Sequence, residues 1–176
     1  MKKIADFYLK TLLINAKFGS SQPNADQQLL FPDFLAKLNT CIQQYKASHP
    51  GQDVSFTETY RSNVLQLIHF NNKASKIKKN GMHHYGIAAD SIFIINGKRT
   101  FKGDVVGLRK IYTDNGLTIL GMWDSLHVQF ITVGDQQPLR DTVAAAISKF
   151  QKDNGLPITG EANAATIAKA KAVFGG

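Results

Sequence analysis

The stretch "NGMHHYGIAADSIFIIN", residues 80–96, decides the fold reading, because it runs from a glycine-flanked histidine pair into the longest strand-like segment of the chain. The apolar run beyond Asp90 is rich in β-branched residues and closes at an Asn96–Gly97 turn signal, which predicts a strand over 86–96. Residues seven apart on one strand face opposite sides, so His83 and Asp90 share a ligand only if the chain turns between them. Gly86 permits that turn. Ile92 and Ile94 share the face of Asp90 and would hold its carboxylate on a half-buried strand.

Outward from this strand the pattern alternates. "LFPDFLAKLNTCIQQYKAS" (30–48) spaces Phe34, Leu35, Leu38, Cys41, Ile42 and Tyr45 as one buried helical face, and "HPG" ends it. "DVSFTETYRS" (53–62) reads as a short strand entering a turn, and "NVLQLIHF" (63–70) as a second helix. "GDVVGLRKIYTDNG" (103–116) reads as a helix with an Asn115–Gly116 cap, and "HVQFITV" (127–133) as a final strand. Such alternation predicts an α+β domain ending near Val133. "LRDTVAAAISKFQKDNG" (139–155) and "AATIAKAKAVF" (164–174) then predict two helices, a unit of about 40 residues whose isolated core would be marginal. The expected divisions are an N-terminal helical extension at 1–29, a body at 30–134 and a helical module at 135–176.

The chain has 176 residues, 43% of them hydrophobic, enough for one ordinary core and a small appendage. Its single cysteine, Cys41, excludes an intramolecular disulfide and a cysteine-built zinc knuckle, so any metal must be held by His and Asp or Glu. Residues 1–134 carry 16 Lys and Arg against 9 Asp and Glu, and the rest is nearly balanced. A basic body suits nucleic acid, an anionic membrane surface or an anionic wall polymer. The densest basic run, "KASKIKKN" (73–80), has no aromatic residue on which a base could stack, which speaks against nucleic acid. Asp6 and Lys10 interrupt the apolar run of "MKKIADFYLKTLLINAKFG" (1–19), so an amphipathic helix is expected there rather than a leader peptide. The expectation is a soluble monomer made in the cytoplasm, without stable membrane insertion.

A second polar pair lies in "GMWDSLHVQF" (121–130), where Asp124 precedes His127 by three residues across a tight turn, so both can face one cleft. His83, Asp90 and His127 would supply three N/O ligands and leave a fourth tetrahedral position to water, as at catalytic zinc. Asp124 would then be the general base. The competing reading is that these polar pairs only cap turns. His84 is expected outside the ligand set, His49 and His69 are expected to be structural, and Trp123 fits core or cleft wall equally.

His83, Gly86, Ala88 and Asp90 in the pattern H-x-x-G-x-A-x-D, followed by Asp124 and His127 in D-x-x-H, resemble the zinc peptidases of the D-alanyl-D-alanine carboxypeptidase and L-alanyl-D-glutamate endopeptidase family. "TYRSNVLQ" (59–66) is similar to that family's segment carrying an arginine that steadies the substrate carbonyl, which places the role on Arg61. The resemblance spans roughly residues 30–133 and implies a hedgehog-like, D,D-peptidase fold, a Zn2+ cofactor and cleavage of peptidoglycan stem peptides. Gly81 stands where many members have serine. Asp124 stands where most have glutamate, a feature similar to the phage endolysin branch, which cuts between L-Ala and D-Glu. "AAAISKFQKDNGLPITGEANAATIAKA" (144–170) resembles the second half of a three-helix peptidoglycan-binding repeat whose first helix is short or absent here. Together these imply a wall endopeptidase of phage-endolysin or injected-effector type. A carboxypeptidase releasing D-Ala and a non-catalytic wall-binding protein are the alternatives.

Overall fold

The computed structural model describes residues 1–175. Helix α1 (Lys2–Phe7) continues as a π-helical turn over Tyr8–Leu12. Helix α2 (Pro32–Ser48) starts with proline at its first turn and buries Phe34, Leu38, Cys41 and Tyr45, the face expected from their spacing. Strand β1 (Gln52–Glu58) leads to helix α3 (Asn63–Asn71), whose cap Ser62 accepts from the Leu65 amide. Strands β2 (Ala88–Ile95) and β3 (Lys98–Thr100) form a hairpin with both Asn96 and Gly97 at positive φ. Helix α4 (Val105–Asp114), strands β4 (Thr118–Ile119) and β5 (His127–Gln129), and helices α5 (Gln136–Asp153) and α6 (Ala164–Phe174) complete the chain.

The architecture is mixed: helices surround a small antiparallel sheet of order β1-β2-β5-β4, with β3 paired to β2. One face packs on helices, as the Ser91 hydroxyl shows by meeting the Tyr112 hydroxyl of α4 at 2.8 Å. Alternation turns Asp90 to the other face. The register pairs Asp90 with His127 across β2 and β5, so these two side chains emerge together. On the other side of β2, the pairing slips between Phe56 and Glu58, and Glu58 also comes opposite Asp90. That bulge turns Glu58 away from the helix-covered side occupied by Val54 and Phe56 and toward the face of Asp90.

One expectation needs correction. The strand expected over 127–133 stops at Gln129, because Phe130 turns inward to pack against Phe31 and Phe34 at ring separations of 5.6 and 5.9 Å. The turn expected between His83 and Asp90 is present: His83 sits in a 3-10 turn over Met82–Tyr85, ended by Gly86 at φ 67°. A Cβ on Gly86 would come 2.3 Å from the Leu29 carbonyl oxygen, so both the conformation and the space call for glycine.

The ends of the chain meet. Ile4, Tyr8 and Leu12 belong to one continuous core with Leu139, Val143, Ile147 and Ala170 of α5 and α6. Three helical segments thus pack together at this end of the molecule, one of them supplied by the N-terminus. Among the described residues, no helix is long and apolar enough to cross a membrane.

Candidate metal centre

A cleft of about 490 Å³ opens on the Asp90 face of the sheet and is lined by all five of the residues singled out from sequence: Arg61, His83, Asp90, Asp124 and His127. His83 enters from the 3-10 turn, Asp90 from the middle of β2 and His127 from the start of β5. His83 Nε2 lies 3.3 Å and His127 Nδ1 3.0 Å from the same Asp90 Oδ1. One ligand atom from each of the three lies within 4.8 Å of the others, close enough for one ion. Two imidazoles and a carboxylate form a donor set that suits Zn2+, with room left for a non-protein ligand. Both histidines are buried, and Nδ1 of His83 and Nε2 of His127 have no hydrogen-bond partner.

Electrostatics favour a charged Asp90. Burial alone pushes its carboxyl group up, but the charges and hydrogen bonds of His83 and His127 prevail and hold it well below the usual carboxylate range. Arg61 Nη2 adds a contact to Asp90 Oδ2 at 3.3 Å. Asp124 stands at the rim in a 3-10 turn over Met122–Asp124, half exposed, with Oδ2 3.9 Å from His127 Nδ1. It is close to the triad without being needed to complete it.

Arg61 is held from behind by a residue that sequence reasoning missed. Glu58 Oε2 accepts from both Nε and Nη2 of Arg61, and Gln66 Oε1 from Nη1 at 3.4 Å. Burial opposes the guanidinium charge, but the hydrogen bond and charge of Glu58 outweigh it and raise the Arg61 pKa. The sequence held only an indirect signal, a carboxylate in step with the apolar Val54 and Phe56, and the bulge that takes Glu58 to the Asp90 face is not legible in that alternation.

The remaining histidines separate. His84 is buried, and its Nε2 lies 2.9 Å from the Tyr8 hydroxyl, away from the triad. Burial lowers its pKa to about 4, against a smaller opposing contribution from the Arg61 backbone, so the ring is neutral. His49 stacks on Tyr45 at 4.1 Å, a structural role. His69 lines the same cleft with a buried, unpartnered Nε2, so it belongs to the cleft wall. Trp123 is 80% exposed at the rim, which places it in the cleft wall and outside the core.

Comparison with known proteins adds one assignment. Residues 136–169 match the family model described as a putative peptidoglycan binding domain. That span covers α5 and most of α6, so peptidoglycan is the partner indicated for this end of the molecule. No curated protein matches the sequence. Among solved structures, the chain is similar to the L-Ala D-Glu endopeptidase ChiX of Serratia marcescens at 18% identity and a TM-score of 0.48, over 60% of this chain and 83% of that one. A likeness of that size is too slight to assign chemistry. The class defined by fold and site is therefore an α+β protein with a candidate His-Asp-His metal centre and a peptidoglycan-binding-type helical end.

Proposed function

We propose that the protein is a zinc-dependent peptidase of peptidoglycan that cuts the stem peptide at the L-Ala–D-Glu bond. The body at 30–134 would carry the chemistry and the helices of 135–176 would engage the wall. The observation that carries this reading is the convergence of His83, Asp90 and His127 within 4.8 Å, in a cleft that Asp124 and Arg61 also line. The order of these residues along the chain, and its resemblance to the zinc peptidases of the wall, supports the choice of reaction.

Bound by His83, Asp90 and His127, Zn2+ would supply Lewis acidity toward a peptide carbonyl and increase the acidity of water. The protein's own groups do the rest. Asp124 has a solvent-reachable carboxylate at the rim and would take a proton from the attacking water, then return it to the leaving amine. Arg61, fixed by Glu58, would offset negative charge on the tetrahedral oxygen without reorganising at the moment of reaction.

The test is mass spectrometry of purified peptidoglycan after incubation with the protein, alongside chelator-treated protein and Asp124→Ala. New D-Glu amino termini in the untreated sample alone are expected. Released D-Ala would move the enzyme to a carboxypeptidase, and intact peptidoglycan would sink the peptidase reading.

A further inference from the structure

A second cavity, of about 410 Å³, lies behind the 82–85 turn, away from the metal cleft. Its walls come from three parts of the chain: Tyr8 and Phe18 near the N-terminus, the segment around Asn80 and Tyr85 in the body, and Arg140, Ala144 and Ile147 on α5. Three polar groups bear on it. The Tyr85 side chain lines the cavity, and its hydroxyl, which makes no hydrogen bond among the described residues, is free to donate into it. Arg140 donates from Nε to the Asn80 carbonyl at 3.1 Å and from Nη1 to Gln137 at 3.5 Å, leaving Nη2 without a protein acceptor. Lys79 reaches the same cavity, held only by an exposed contact of 3.4 Å to Glu161 across its mouth.

A phenol hydroxyl free to donate, a guanidinium with one nitrogen lacking a protein acceptor and an ammonium, all lining one cavity, suit an oxyanion. On the side of α5 the wall is small and aliphatic, with Val143, Ala144 and Ile147 offering a surface for methyl groups, while Tyr8 and Phe18 close the opposite side. Stem peptides of peptidoglycan combine these features, with free carboxylates beside alanine methyl groups. The match of 136–169 to a peptidoglycan-binding family points to the same polymer.

We infer that this cavity is a second peptidoglycan site, built jointly by the body and the C-terminal helices, that takes a carboxylate-bearing stem peptide. It rests on the wall-directed part of the proposed function and not on the proposed chemistry. One turn of chain separates the two cavities, with His83 lining the metal cleft and His84 lining the second. Wall material held behind the turn is therefore in fixed register with the cleft in front of it.

The experiment is cosedimentation of the full chain with purified sacculi in the presence of chelator, using wild type, Tyr85→Phe, Arg140→Gln and the cavity-filling Ala144→Leu. Tyr85→Phe and Arg140→Gln are each expected to weaken sacculus binding about tenfold, the loss typical of one hydrogen bond to a charged group, and Ala144→Leu to weaken it at least as much by occupying the cavity. Cleavage of a short soluble stem peptide by the metal-loaded proteins should stay within about twofold of wild type. Carbodiimide amidation of the sacculus carboxylates should weaken wild-type binding to the level of the variants. Wild-type binding by Tyr85→Phe, which removes one oxygen and leaves the core filled, would overturn the inference, as would indifference to amidation. Binding that obeys these expectations in a protein that cuts nothing would instead reject the peptidase reading and leave the second site standing.

Discussion

His83 and His84 are consecutive in the chain and serve opposite cavities. His83 Nε2 lies 3.3 Å from Asp90 Oδ1, while His84 Nε2 lies 2.9 Å from the Tyr8 hydroxyl. A 3-10 turn advances about 120° per residue, so neighbours on it diverge and one short segment can present a side chain to each of two cavities. Substitution should separate the two roles. His83→Ala removes a ligand and should weaken metal binding by more than about 100-fold, the upper end of what loss of an outer partner does. His84→Ala should keep the metal but lose about 1–3 kcal/mol of stability, because the buried Tyr8 hydroxyl loses its partner. Metal titration and urea unfolding on both variants would check this, and equal metal loss would show that the histidines do not act separately.

Glu58 sets the orientation of Arg61, and its substitution should change turnover more than substrate binding. Glu58→Gln keeps the shape but removes the charge that accepts from two Arg61 nitrogens. A drop of about tenfold in kcat with little change in KM is expected, against 10²–10³ for Arg61→Ala, the range seen when a preorganised donor is removed. A KM effect alone would make Glu58 a binding residue.

The helices and β2 were legible because their signals are local: the face of α2, the Ser62 cap of α3 and the Asn96–Gly97 turn each lie within a few residues. The two-residue β4 is too short for any period. The bulge at β1 was invisible because the alternation of Val54, Phe56 and Glu58 looks regular, although the pairing shifts. Glu58 was missed for that reason. The polar pairs of the site were readable because each sits on one segment, whereas Arg61 was singled out only through resemblance. The packing of Tyr8 and Leu12 near α5 and α6 joins opposite ends of the chain and leaves no local trace.

Positive charge at the cleft of the His83–Asp90–His127 triad should speed capture of an anionic peptide. Lys73 and Lys76 line the cleft and make no ion pair among the described residues, and no Asp or Glu occurs between Glu58 and Asp90. For a stem peptide with free carboxylates, kcat/KM should fall as salt is raised from low to physiological levels. The double substitution Lys73→Ala and Lys76→Ala should flatten that dependence. Rates measured over a salt series decide it, and an unchanged slope in the double variant would remove these lysines from substrate capture.

The lone thiol gives a stability probe remote from the cleft. Cys41 is fully buried on α2, and burial, reduced by the nearby Lys37 charge, pushes its pKa up from 9.0 to about 11. The folded state keeps a proton that the unfolded chain releases above pH 9.0, so this contribution is complete below that value and is lost toward pH 11. Urea unfolding of wild type should weaken across that window more than that of Cys41→Ala. Parallel slopes for the two proteins would mean that the thiol does not titrate with folding.

The C-terminal helices should not stand alone. Leu139, Val143, Ile147 and Ala170 are buried in one core with Ile4, Tyr8 and Leu12, so an isolated 135–176 fragment would expose an apolar face in a unit already marginal in size. Circular dichroism of that fragment should show no cooperative melting. In the full chain, Leu139→Ala removes a fully buried side chain and should cost about 2–5 kcal/mol. Deleting residues 1–14 should lower the melting temperature, because it uncovers the same face. A fragment that melts cooperatively, or a truncated chain as stable as wild type, would show that α5 and α6 form a self-sufficient module and that the N-terminal helix only rests on it.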